Sequence, residues 1–141
     1  MNMPEKASER RLHSEYWSVQ GDGAVQLTAH ECASCGACYL PSIATCVKCR
    51  SKDFRRKPLS SHGKLYTYAI VRGSGGVWPD VYTIGYVDFP EQVRVCGHLR
   101  ETDPATLRIG MPLAAEEAVL YTDPNGTAVK CFRFHAVEAS Q

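Results

Sequence analysis

Two C-x-x-C pairs, Cys32/Cys35 and Cys46/Cys49, are the residues whose type and spacing most directly define a chemistry in this chain. Ten residues separate the pairs, enough for the chain to turn back and bring two hooks of sulfur together. Four thiolates held tetrahedrally at about 2.3 Å make a structural zinc site, with no coordination position open to water or substrate. A segment this short buries too little apolar surface to fold alone, so a bound metal supplies the missing free energy. Gly36 after the first pair suits the tight turn of a knuckle. Arg50 stands at the matching place after the second pair. The gap is shorter than the common spacing of about 15–20 residues, which predicts a compact ribbon. A redox C-x-x-C would need a βαβ context that the flanks lack, and disulfides would need an oxidising compartment.

Three cysteines remain. Cys96 and Cys131 fall in apolar, strand-like runs and are expected to be small buried hydrophobes. Cys38 lies near enough to the first knuckle to serve as a substitute ligand. Catalysis by a thiol needs a nucleophile, an activating histidine and a second acid or base in contact. Cys96 and His98 share a strand face, as do Cys131, Arg133 and His135, but such residues project in parallel about 7 Å apart. Neither set is a preformed dyad. His13, His30 and His62 have no acidic or thiol neighbour in sequence and read as surface or packing residues. The expectation is a chain that is not an enzyme on its own.

The net charge of +1 conceals an asymmetry. Lys48, Arg50, Lys52, Arg55, Arg56 and Lys57 face only one nearby anion, Asp53, a local charge of +5 that attracts phosphates or an acidic surface. A solvated loop is the plain alternative. Hydrophobic content of 44% and charged content of 22% describe a folded chain. The first eleven residues have no apolar core of a signal peptide, and no stretch approaches the roughly 20 apolar residues of a membrane span. A cytoplasmic location is therefore expected, where thiols favour metal over disulfides.

The elements that would position these residues divide the chain into a tail and helix (1–24), a zinc ribbon (25–59) and a β-barrel (60–141). Leu12, Tyr16 and Val19 recur at helical spacing and predict a short amphipathic helix over 11–19, ended by Gly21-Asp22-Gly23. Residues 25–30 read as a strand into the first knuckle. Five strands follow, at 64–72, 81–89, 93–99, 113–121 and 128–137. Thr102-Asp103-Pro104 predicts a short helix between the third and fourth, and Asp123-Pro124-Asn125-Gly126 a turn before the fifth. That order is the order of an OB-fold barrel, with an open β-sandwich as the competing architecture.

Cys32-Ala33-Ser34-Cys35-Gly36, Pro41, Cys46-Val47-Lys48-Cys49, Gly63-Lys64-Leu65-Tyr66, the stretch from Leu107 to Pro112 and the ending Phe132-Arg133-Phe134 carry a resemblance. In this order, over about residues 12–138, they resemble the zinc-ribbon/OB-fold proteins associated with acyl-CoA enzymes, long catalogued as a domain of unknown function. Arg50, in place of a common glycine, and the extra Cys38 depart from the pattern. The resemblance implies a non-catalytic accessory subunit of a thiolase or related acyltransferase, a retro-aldolase or a hot-dog-fold acyl-CoA hydratase. A CoA thioester would be bound jointly with the partner, and a dimeric thiolase would give a heterotetramer. On this reading the six cations from Lys48 to Lys57 face the partner or the phosphates of CoA. Tyr16, Trp17, Tyr39, Leu40, Trp78 and Pro79 are candidate partner contacts, because aromatics near loops are favoured anchors. Two further classes compete: a free-standing acyl-CoA binder or carrier, and a single-stranded nucleic-acid-binding protein. Against nucleic acid, residues 64–138 carry seven cations and nine acidic groups, where such a barrel wants a basic groove.

Overall fold

The computed structural model describes residues 9–137; the tail expected over residues 1–8 lies outside them. Ten strands and two 3₁₀ turns make up the described chain, with no α-helix among its residues. Five strands, β6 (Gly63–Arg72), β7 (Val81–Phe89), β8 (Val93–Leu99), β9 (Pro112–Thr122) and β10 (Ala128–Ala136), form a ring in the order β10-β8-β7-β6-β9 and back to β10. β10 runs parallel to β8 and antiparallel to β9. This closure is that of an OB barrel and removes the sandwich alternative. The seam between β6 and β9 is short: Gly63 pairs with Leu113 and Lys64 with Pro112.

Alternation along β7 and β8 decides what fills the barrel. Thr83, Gly85, Val87 and Phe89 face inward with Val93, Val95 and Leu99, leaving Tyr82, Ile84 and Tyr86 on the outer face. Gly97 is required by close approach, since a Cβ there would lie 2.9 Å from the Phe134 ring. Phe134, Leu65, Leu113, Val87, Val95 and Val129 are fully buried, so side chains fill the interior. The expected helix after β8 is a single 3₁₀ turn, Pro104–Thr106, and Asp103 caps it by accepting from the Ala105 N–H.

The N-terminal helix is not formed. Instead β1 (Glu9–Arg11) pairs in parallel with β10, a 3₁₀ turn spans Ser14–Tyr16, and β2 (Trp17–Val19) pairs with β3 (Val25–Cys32). The reason lies in the tertiary contacts. His13 adopts a left-handed φ of 56°, and the Trp17 indole N–H donates to the Leu12 carbonyl at 2.7 Å. Tyr16 and Trp17 turn inward, and Trp17 joins Val25, Leu27, Ala29 and Leu59 in one apolar core with the barrel. Of the helically spaced residues Tyr16 is buried and Val19 is exposed, because the chain leaves the 3₁₀ turn as a strand with Trp17 inward. β3 also pairs with β4 (Cys38–Tyr39) and with β5 (Phe54–Pro58), which frame the ribbon.

Candidate metal centre and exposed surfaces

β3 delivers Cys32 at its last residue, and the chain then makes two matching knuckles. In the first, the Gly36 N–H donates to the Cys32 carbonyl at 2.9 Å and the Cys32 N–H to the Ala37 carbonyl at 2.8 Å. In the second, the Arg50 N–H donates to the Cys46 carbonyl at 2.8 Å and the Cys46 N–H to the Ser51 carbonyl at 2.9 Å. Both end in the left-handed region, Gly36 at φ 83° and Arg50 at φ 68°. A non-glycine residue there costs on the order of 1 kcal/mol, so Arg50 accepts strain that glycine would not. The repeated geometry aims four sulfurs at one point.

The sulfurs of Cys32, Cys35, Cys46 and Cys49 all lie within 4.8 Å of one another. Cys32 and Cys49 are 3.5 Å apart, and Cys35 and Cys46 are 3.6 Å apart. A tetrahedron with zinc–sulfur bonds of about 2.3 Å has edges of about 3.8 Å, so the donor set and its spacing fit a four-coordinate zinc ion. The Tyr39 hydroxyl stands 3.4 Å from the Cys46 sulfur. This hydrogen bond leads the effects that lower the Cys46 thiol to about 6, whereas Cys49, crowded by the other sulfurs, is pushed up to about 12. Four thiolates cannot share so small a volume without a cation between them. When bound, zinc would supply that charge and leave no open coordination position for substrate. Cys38 is not among the four; its sulfur is turned toward the Gly36 carbonyl.

The cations of the ribbon are held less by a loop than expected. Residues 54–58 form β5, which sets Arg55 opposite Glu31 and Arg56 opposite His30. Arg55 forms an ion pair with Glu31 at 2.7 Å, and its hydrogen bond holds the Glu31 carboxyl below the usual range. Lys48, Arg50, Lys52 and Arg56 are exposed, while Lys57 is half-buried.

The candidate contact aromatics separate. Tyr16 and Trp17 are buried at 6% and 3% exposure and present no surface to a partner. Tyr39 is taken up by the sulfur cluster and by an edge contact with Phe54, and Leu40 packs against the core. Trp78 is half-buried in a stack with Tyr82 and His98, each 5.4 Å away, and lies 4.7 Å from Tyr121. Pro79 beside it is exposed.

Sequence alone did not single out Tyr66 and Tyr86, exposed at 48% and 44%, although their outward alternation was the available signal. Arg94 lies 3.5 Å over the Tyr66 ring and is bound to Asp88 by two hydrogen bonds of 2.6 and 3.1 Å.

Cys131 is buried as expected, but Cys96 is exposed on the outer face of β8, where neighbouring Gly97 takes the inward place. With His13 and Phe132 it lines two adjoining cavities, of about 450 and 240 Å³. Desolvation holds the Cys96 thiol above its ordinary range, and His98 is committed to its aromatic stack.

A cysteine-clustered ribbon joined through one core to an OB barrel defines the class of this protein, and comparison with known proteins agrees. Residues 56–116 match the family described as "ChsH2, C-terminal OB-fold domain". A DUF35 domain-containing scaffold protein of Methanocaldococcus jannaschii is 31% identical over 111 residues, covering 76% of this chain and 79% of that protein. The chain therefore belongs to the DUF35 domain family. It is also 26% identical over 142 residues to benzoylsuccinyl-CoA thiolase subunit BbsA of Thauera aromatica, covering 95% of this chain and 96% of that one. A solved structure titled "Ltp2-ChsH2(DUF35) aldolase" shares the fold, with a TM-score of 0.65 at 22% identity, covering 79% of this chain and 84% of that one. Among the described residues, no helix is long and apolar enough to cross a membrane.

Proposed function

We propose that this chain is a non-catalytic, zinc-binding accessory subunit of an acyl-CoA-processing enzyme of the thiolase type. The observation that carries this reading is the end-to-end likeness to a protein named as a thiolase subunit, 95% of one chain against 96% of the other. A relative named as a scaffold protein points the same way. The internal chemistry is compatible: the four sulfurs suit a closed metal site, Cys96 has a raised rather than an activated thiol, and His98 is held in a stack. Reaction chemistry then belongs to the partner, and this chain supplies a rigid surface beside it.

On this proposal zinc fixes the knuckles so that Lys48, Arg50, Lys52 and Arg56 meet an acidic surface of the partner or the phosphates of CoA. Arg55 and Lys57 alternate to the other face of β5 from Arg56, and there Arg55 is held by Glu31. Trp78 and Pro79 form the loop contact, with Tyr82, His98 and Tyr121 packed against Trp78. A dimeric partner would take two such chains in a heterotetramer in the cytoplasm.

The test is mild affinity purification of the tagged chain from its own cells, with zinc measured in the eluate. A stoichiometric thiolase-like protein and one zinc per chain are expected. A hydratase or aldolase in its place would keep the accessory role and change the partner. Recovery with nucleic acid, or of the chain alone, would overturn the proposal.

A further inference from the structure

The short seam between β6 and β9 leaves part of the barrel wall without a neighbour among the described residues. Its last bonds join the Leu65 N–H to the Met111 carbonyl at 3.0 Å and the Gly110 N–H to the Leu65 carbonyl at 2.7 Å. Beyond Leu65, no described strand pairs with the outer edge of β6. The free groups can be assigned. The Gly73 N–H donates to the Asp80 carbonyl at 2.9 Å, so in this antiparallel register Val71, Ala69 and Thr67 bond to β7. Tyr68, Ile70 and Arg72 consequently turn their N–H and C=O groups outward.

Free edges are normally guarded by charge, proline or a covering strand. β5 has Arg55, Arg56, Lys57 and Pro58 on its edge, and β9 carries Glu116 and Glu117. β10 is flanked by β1, β8 and β9. By contrast, residues 66–71 read Tyr-Thr-Tyr-Ala-Ile-Val, with no charge, proline or glycine. The bulge in β6 falls between Leu65 and Thr67, where it does not interrupt the free stretch. Of the three residues with free groups only Arg72, at the strand's end, is charged, and the rest of the stretch is aromatic and β-branched, a composition suited to pairing.

We propose that the occupant is a second copy of the chain, with β6 antiparallel to its mate about a two-fold axis at Ile70. In that register Ile70 meets itself, Tyr68 meets Arg72 of the copy, and every outward donor of the three residues finds an acceptor. Ala69 lies opposite Val71, no like charges meet, and a cation sits beside an aromatic ring at each end. An isologous contact asks for one self-complementary surface, and this edge is one. The proposal is independent of which enzyme the chain assists.

Light scattering coupled to gel filtration on the zinc-loaded full chain, at tens of micromolar, tests it. The expected mass is twice the 15.6 kDa of the chain. Two double variants, Ala69→Lys with Val71→Lys and Ala69→Glu with Val71→Glu, each set like charges opposite one another across the axis. Each should be monomeric alone, and an equimolar mixture of the two should recover the dimer. A monomeric wild type overturns the proposal, as do variants that stay dimeric. If the wild type is monomeric but the Lys variant fails to bind the partner enzyme, the edge belongs to that partner instead. Should the variants lose their β circular dichroism, amide exchange in the wild type decides. Protection of Tyr68, Ile70 and Arg72 that rises with concentration supports the pairing, and concentration-independent exchange removes it.

Discussion

The knuckle tip and the barrel are held together by different physics, and the burial pattern shows it. Between residues 32 and 53 only Cys32 and Cys46 are buried, so the tip has sulfur at its centre and no apolar core. The barrel is centred on Phe134, Leu65, Leu113, Val87, Val95 and Val129. With zinc at the four sulfurs, as proposed, the chain would carry two stabilities: one set by metal occupancy, the other by area removed from water. The base of the ribbon belongs with the barrel, because Val25, Leu27 and Ala29 share its core.

The sharpest way to break this comparison is Cys46→Ser. Zinc contributes about 10–16 kcal/mol of apparent binding energy to small finger peptides, so losing one thiolate lowers affinity by orders of magnitude. Zinc content should fall, and amide protection should vanish over the tip while persisting in β6–β10. Loss of protection in both regions would make them one cooperative unit. Phe134→Ala should do the reverse, costing about 3–5 kcal/mol in urea unfolding while cobalt-substituted knuckles keep their sulfur–cobalt absorption.

The smallest effect concerns Glu116, which receives Arg100 through hydrogen bonds of 2.7 and 3.1 Å and Arg133 at 2.8 Å. Burial raises its carboxyl, but the two guanidinium groups prevail and hold it at about 2. Because the folded value lies below the unfolded one, this stabilisation is complete above about pH 5 and is lost as pH falls toward 2. Glu116→Gln should flatten that part of a urea-midpoint profile and leave the cobalt spectrum at neutral pH unchanged.

Much of this division was legible beforehand. Spacing alone picked out the four cysteines whose sulfurs cluster, and alternation bounded β7 and β8 at the observed residues, because both signals are local. The N-terminal segment was misread because its partner is remote: β1 pairs with residues 128–130, and Leu12 donates to the Lys130 carbonyl at 2.8 Å. No periodicity within residues 9–19 encodes that neighbour. Tyr39 has a second role that spacing did not announce, since an aromatic beside a knuckle can serve a partner surface or a thiolate hydrogen bond. Cys96 looked buried from its apolar run, but the inward place on β8 is held by Gly97 to make room for Phe134.

That remote pairing has a consequence for biosynthesis. β10 is the last described strand to leave the ribosome, yet it is the one that seats β1, β8 and β9. Both knuckles are translated well before it and can capture metal while the rest of the chain is still being made. The barrel cannot close, nor β1 find its place, until residue 136 has emerged. Contacts this distant in sequence are slow to form. A nascent chain truncated before β10 would therefore carry a metal-loaded tip on an unclosed sheet, the form in which a chaperone would meet it.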